Sequence, residues 1–114
     1  MKIEVLYIDG CPNHRRTVER VNELLKELRL PAELIEVPVT DFASALAHRF
    51  LGSPTVKING IDVEPSARTS NQFGLMCRTY LDGTNRNGVP CIELIRQGLE
   101  QAQLSQSQPA ESIL

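Results

Sequence analysis

Cys11-Pro12-Asn13-His14 pairs a sulfur nucleophile with a titratable imidazole three positions on. The stretch Ile3 to Ile8 reads as a strand, Asp9-Gly10 as a tight turn, and Arg15 to Leu30 as an amphipathic helix. A cysteine at that helix start faces unpaired backbone N–H groups and the positive end of the helix dipole, both of which favour thiolate over thiol. Pro12 suits the first helical position, where a missing N–H costs nothing and φ is already helical. Arg15 and Arg16 add positive charge in the first turn. These residues point to nucleophilic sulfur chemistry, with Cys11 as the attacking group. Position 14 is His, so the second thiol of a Cys-x-x-Cys pair is absent. His14 lies one helical turn from Cys11. Protonated, it stabilises a thiolate; neutral, it exchanges a proton with one. An exposed histidine without a role fits the sequence equally well.

The other sulfurs are Cys77 and Cys91. As a resolving thiol, Cys77 attacks a mixed disulfide or a sulfenic acid on Cys11. That role requires Cα atoms within ~7 Å. Packing within the Leu75-Met76 cluster is the competing role for Cys77. Cys91 opens the last helix after Pro90 and reads as structural, as does His48 in the second helix. Three scattered cysteines make a poor disulfide framework, and none sits at metal-knuckle spacing from another. A four-cysteine iron–sulfur cluster lacks a ligand. No cofactor and no resident metal site is expected.

The positioning elements must come from 114 residues, enough for one domain with a modest core. A net charge of -2 and a pI near 5.7 provide no basic footprint for nucleic acid or anionic lipid. Aromatics at 4%, with no Trp, leave little for stacking on bases. No apolar run approaches the ~20 residues of a membrane span. The N-terminal strand lacks the features of a signal peptide. A cytoplasmic location is expected.

The first strand, residues 2–8, is apolar on both faces: Ile3, Val5 and Tyr7 on one, Leu6 and Ile8 on the other. It therefore reads as a central strand covered on both sides. Val18, Val21, Leu24, Leu25 and Leu28 form one apolar stripe on the following helix, which Pro31 ends. Glu33 to Val39 reads as a second strand, parallel to the first by the crossover rule. Thr40 or Asp41 caps a short helix running to about Phe50, expected to bury Phe42, Leu46 and Phe50. Thr55 to Ile58 and Ile61 to Glu64 flank Asn59-Gly60, a strong hairpin signal. Pro65 to Gln72 and Asp82 to Pro90 read as loops, with a short strand or buried loop between them. A last helix from Pro90 to about Leu104 places Ile92, Ile95, Leu99 and Ala102 on one side. One domain, 1–104, and a flexible tail, 105–114, are expected.

The order β-α-β-α-β-β-α, the Cys11-Pro12 helix start and Ser53-Pro54-Thr55-Val56 before the third strand resemble the thioredoxin-like superfamily. The likeness covers residues 2–64 and the last helix, with an atypical insert at 65–90. More narrowly, the chain resembles small bacterial thioredoxin-family proteins often filed beside alkylmercury lyases. The run Ser53-Pro54-Thr55-Val56-Lys57-Ile58-Asn59-Gly60 and the later Cys77-Arg78-Thr79-Tyr80 carry that likeness. The resemblance implies a central mixed four-stranded sheet flanked by helices and a cis peptide at Ser53-Pro54 beside Cys11. It also implies that Pro12, Ser53, Pro54 and Thr55 line a groove where an extended substrate pairs as an added strand. The missing thiol at position 14 removes the ordinary dithiol mechanism.

The leading expectation is a thiol–disulfide oxidoreductase-like protein acting on a protein or small-molecule disulfide. Cys11 is the nucleophile, His14 an auxiliary group, and Cys77 or a low-molecular-weight thiol the resolving partner. Two other classes stay open. One is a soft-metal or organomercurial binder using the thiolates of Cys11 and Cys77. The other is a non-catalytic module that binds a partner through the Pro54 groove. The sequence leaves the oligomeric state open.

Overall fold

The computed structural model describes residues 1–107. Strand β1 (Lys2–Tyr7) leads into helix α1 (His14–Leu28), strand β2 (Glu33–Pro38) and helix α2 (Phe42–Ala47). Strands β3 (Thr55–Ile58) and β4 (Ile61–Asp62) follow, then a 3-10 turn at Pro65–Ala67. A hairpin of β5 (Tyr80–Asp82) and β6 (Asn85–Asn87) precedes helix α3 (Ile92–Ser107). The main sheet has the order β2-β1-β3-β4. β1 runs parallel to β2 and antiparallel to β3, and β3 runs antiparallel to β4. The chain is thus a mixed α/β fold with a four-stranded mixed sheet flanked by helices. Among the described residues, no helix is long and apolar enough to cross a membrane.

The two apolar faces of β1 explain its central place. Ile3 and Val5 enter a core with Val21, Leu24 and Leu25 of α1 and Ile95 and Leu99 of α3. Leu6 enters a smaller core on the opposite face with Val39, Ala45 and Phe50. Each fully buried aliphatic side chain contributes roughly 1.5–3 kcal/mol relative to exposure. The α1–α3 face, with twelve buried residues against four, therefore carries most of the stability.

Several boundaries differ from the sequence expectation for local reasons. α1 stops at Leu28 because Arg29 turns left-handed, at φ 54. Leu30 N–H then reaches back to the Leu25 carbonyl at 3.1 Å, closing the helix end. α2 begins as expected, with Asp41 Oδ1 accepting the Ser44 N–H at 2.7 Å. It ends early, at Ala47, and Arg49 reverses the chain at φ 51. Phe50 is buried by that reversal, whereas Phe42 and Leu46 stand 58% and 49% exposed. Phe42 and Leu46 lie on the outer side of α2, which turns Ala45 to the core, and Phe50 reaches the core only beyond the helix end.

Asn59-Gly60 forms the expected hairpin turn, with φ 52 and 82 at its two positions. β4 ends at Asp62 rather than Glu64, because Asp62 Oδ1 accepts the Glu64 N–H at 2.9 Å and bends the chain away. The β5–β6 hairpin was not legible: Asn85–Asn87 has no apolar alternation and all three residues are exposed. In α3, Ile95 and Leu99 are buried, while Ile92 at its start is 47% exposed. α3 continues through Ser107, the first part of the expected tail. The remainder of that tail, 108–114, lies outside the described residues.

Candidate functional site

Two consecutive turns build the β1–α1 junction. Cys11 N–H donates to the Ile8 carbonyl at 3.2 Å, and His14 N–H donates to the Cys11 carbonyl at 3.4 Å. Asn13 is the N-cap of α1, and its carbonyl accepts Thr17 N–H at 3.1 Å and Thr17 Oγ1 at 2.8 Å. Pro12 therefore lies in the turn before the helix and is exposed, rather than filling the first helical position. Cys11 is half-buried with a free thiol. The Asn13 side chain takes no capping role. It packs instead against Gly88, where a Cβ would lie 2.1 Å from Asn13 Nδ2. Arg20 Nη1 donates to the Pro90 carbonyl at 3.0 Å, so the end of the insert braces α1.

His14 is engaged elsewhere. Its ring stacks on Tyr7 with centroids 3.6 Å apart and planes 9° from parallel. Its Nε2 lies 2.6 Å from Glu36 Oε1, outside hydrogen-bond alignment. Among the described residues, the bond between the His14 and Cys11 backbones is the hydrogen bond that joins the two. Tyr7 and Glu36, on the adjacent strands β1 and β2, went unread in the sequence. Their meeting at His14 depends on the parallel register, which places Glu36 opposite Val5 and Pro38 opposite Tyr7.

The Ser53-Pro54 peptide is cis, as the resemblance implies. Ser53, Pro54 and Thr55 are all buried. Ser53 Oγ accepts the Ile8 N–H at 3.1 Å, which ties this loop to the Cys11 turn. Thr55 Oγ1 donates to the Gly52 carbonyl at 2.6 Å. The backbone of Ser53 is also occupied. Its N–H donates to the Met76 carbonyl at 2.8 Å, and its carbonyl accepts the Arg78 N–H at 3.0 Å. Cys77 thus forms a parallel bridge with Ser53, and its side chain remains exposed. Cys11, Ile8, Ser53 and Cys77 are linked by successive main-chain and hydroxyl contacts at one end of the sheet.

A buried polar cluster holds the Met76–Arg78 segment in place. Arg78 makes a two-pronged bond to Asp62, Nη1 to Oδ2 at 2.8 Å and Nη2 to Oδ1 at 2.9 Å. Nη1 also reaches Thr55 Oγ1 at 3.1 Å, and Nη2 reaches Glu64 Oε1 at 3.3 Å. The guanidinium lies 4.3 Å from the Tyr80 ring centroid, and the Tyr80 hydroxyl donates to the Pro54 carbonyl. Burial is the largest single influence and works against the Arg78 charge, but the hydrogen bonds to Asp62 together with the charges of Tyr80, Asp62 and Glu64 outweigh it and raise the pKa above the ordinary guanidinium value. Burial pushes the Tyr80 phenol well above its ordinary range, although Arg78 pulls the other way. Burial likewise lowers Lys57, with Asp62 opposing, while its ammonium donates to the His48 carbonyl at 2.6 Å.

Neither a protein-family model, nor a curated protein, nor a solved structure matches this chain.

The fold brings Cys11, Ser53 and Cys77 to one end of the sheet and turns the His14 ring toward Tyr7 and Glu36. Cys91 opens α3, its carbonyl accepting Ile95 N–H at 3.3 Å. Among the described residues, no group of three or more His, Cys, Asp or Glu is placed to hold a metal ion. Arg78 and Asp62 were missed as partners by sequence reasoning. The usable signal was Asp62 and Glu64 at alternate positions of a strand-like run, which puts two carboxylates on one side.

Proposed function

We propose that the chain is a thioredoxin-like thiol–disulfide oxidoreductase with Cys11 as nucleophile and Cys77 as resolving thiol. The element order and the cis Ser53-Pro54 bond support the thioredoxin-like reading. The observation that carries the function is the contact path from the free Cys11 through Ile8 and Ser53 to the free Cys77. The Cys11 thiolate attacks one sulfur of a substrate disulfide. The substrate S–S bond breaks, a Cys11–substrate bond forms, and the departing sulfur takes a proton. The Cys77 thiolate then attacks Cys11 Sγ and releases the second substrate sulfur as a thiol. Two protein thiols end as one disulfide, and one substrate disulfide ends as two thiols. An external low-molecular-weight dithiol restores the reduced protein. Three free cysteines fit a reducing compartment such as the cytoplasm.

The test is single-turnover reaction of the reduced protein with a chromogenic aryl disulfide, followed by mass mapping. Wild type accumulates a Cys11–Cys77 disulfide. Cys77→Ser stops at a mixed disulfide on Cys11, and Cys11→Ser releases no thiol at the catalysed rate. Unchanged release from Cys11→Ser sinks the proposal.

A further inference from the structure

The outer edge of β3 is filled along its length by the chain itself. Lys57 and Ile58 pair with β4. The Val56 carbonyl accepts the Val63 N–H at 3.1 Å, and the Pro54 carbonyl accepts the Tyr80 hydroxyl. At Ser53 both backbone groups are taken by the segment Met76–Arg78. An extended polypeptide joins a sheet by pairing with free N–H and C=O groups. Ser53 offers none.

This segment is anchored at three points. Upstream, Gly74 N–H donates to the Phe50 carbonyl at 3.1 Å. In the middle, Gly52 packs so closely that a Cβ there would lie 2.8 Å from Arg78 Cβ and 3.3 Å from the Cys77 carbonyl. Gly52 adopts φ 121, so its backbone also needs glycine. Downstream, Arg78 is locked to Asp62, and Tyr80 is wholly buried. The segment covers the edge without burying its own sulfur. Cys77 opens onto a polar groove of ≈ 330 Å³ lined by Glu64, Ser66, Ser70, Thr79 and Arg86.

We propose that Met76–Arg78 is a built-in strap occupying the edge where an extended polypeptide would pair, restricting Cys11 to compact, low-molecular-weight disulfides. The proposal rests on the thiol–disulfide reading above. Arg78 is a positioning residue: it holds the strap on Ser53 and Cys77 with it.

The experiment uses the full chain, reduced, with dithiothreitol as reductant. Turnover of bis(2-hydroxyethyl) disulfide is compared with turnover of insulin, each normalised to its rate with dithiothreitol alone. Wild type processes insulin at least about 30-fold more slowly, because pairing there first displaces two backbone hydrogen bonds and the Arg78 latch. Arg78→Lys keeps the cation but loses the two-pronged fork, and raises the insulin-to-small-disulfide ratio by about tenfold. Glu64→Gln, a milder loosening of the same latch, moves the ratio the same way, and serves if Arg78→Lys does not fold. Insulin turnover within about threefold of the small disulfide in wild type overturns the strap, since a displaced hydrogen-bonded segment costs more than that. So does a ratio unmoved in folded variants. If Cys11→Ser is inactive on both substrates in those cases, the thiol reading survives alone. Undiminished turnover by Cys11→Ser overturns the thiol reading and the strap with it.

Discussion

Removing the Asp62 carboxylate should be the most damaging single change outside the apolar core. Asp62 is 6% exposed and accepts three hydrogen bonds: two from Arg78, at 2.8 and 2.9 Å, and one from Glu64 N–H at 2.9 Å. Asp62→Ala leaves Arg78, itself 8% exposed, with Thr55 and the more distant Glu64. Breaking a buried pair on one side costs roughly 3–5 kcal/mol, because the remaining charge is uncompensated. Glu64 retains part of the compensation, so a loss of about 3 kcal/mol is expected. Arg78→Met should cost a similar amount. The double variant Asp62→Ala/Arg78→Met should cost less than the sum by about 2 kcal/mol, since neither charge is then stranded. Urea denaturation followed by circular dichroism at neutral pH reads all three, against a typical total of ~5–15 kcal/mol for a domain. Raising salt should change the coupling little, because the pair is screened from solvent. A single-variant cost below about 1 kcal/mol, the range of an exposed ion pair, would refute this reasoning. Strict additivity would refute it as well.

Three further outcomes are expected. Tyr80 holds its proton more tightly when folded, so the unfolded state deprotonates first, near the ordinary 10.0, and stability falls as pH rises beyond that. Relative to Tyr80→Phe, wild type should lose about 1.4 kcal/mol per pH unit above pH ~10, read by urea titrations in that range. Gly88→Ala should cost no more than about 1 kcal/mol, since the Asn13 amide that it displaces is a half-buried side-chain end free to swing aside. Asn13→Ala in the same chain should recover most of that in thermal melts, since the amide makes no cap bond. Asp41→Ala should weaken α2 by about 1 kcal/mol, seen as faster amide exchange at Ser44.

Local chemistry was legible wherever one residue type answers one backbone demand. Asn59-Gly60 could be read as a hairpin turn because two consecutive positive φ values have few other solutions. β1 could be read as central because both its faces are apolar, and the α1 stripe matched its buried residues Val21, Leu24 and Leu25. Phe42 and Leu46 failed because α2 turns Ala45 to the core and ends before Phe50, at a left-handed Arg49 that nothing in the local pattern announces. Pro12 failed because the helix begins at His14, after a second turn. At the site, Cys11 and the Ser53-Pro54 loop were visible as candidates. The partners of His14 were not, because Tyr7 and Glu36 come from two strands whose register is a tertiary fact. The occupied edge at Ser53 was invisible for the same reason. Twenty-odd residues separate Ser53 from Cys77, and a single bridge leaves no periodicity to detect.

The unequal cores on the two faces of the sheet set an order of local opening. The α2 face rests on four buried residues and the α1–α3 face on twelve. Amide exchange at the α2 face should therefore proceed by sub-global excursions that leave the other face intact. Phe50 belongs to the weaker unit, yet its carbonyl anchors Gly74. Each excursion of α2 thus releases one mooring of the segment beyond it without global unfolding. Exchange of the Gly74 amide should follow α2, whereas Arg78, tied to the deeper cluster, should lag behind. The protein's least stable helix would then set how often the sheet edge beside Cys11 begins to open.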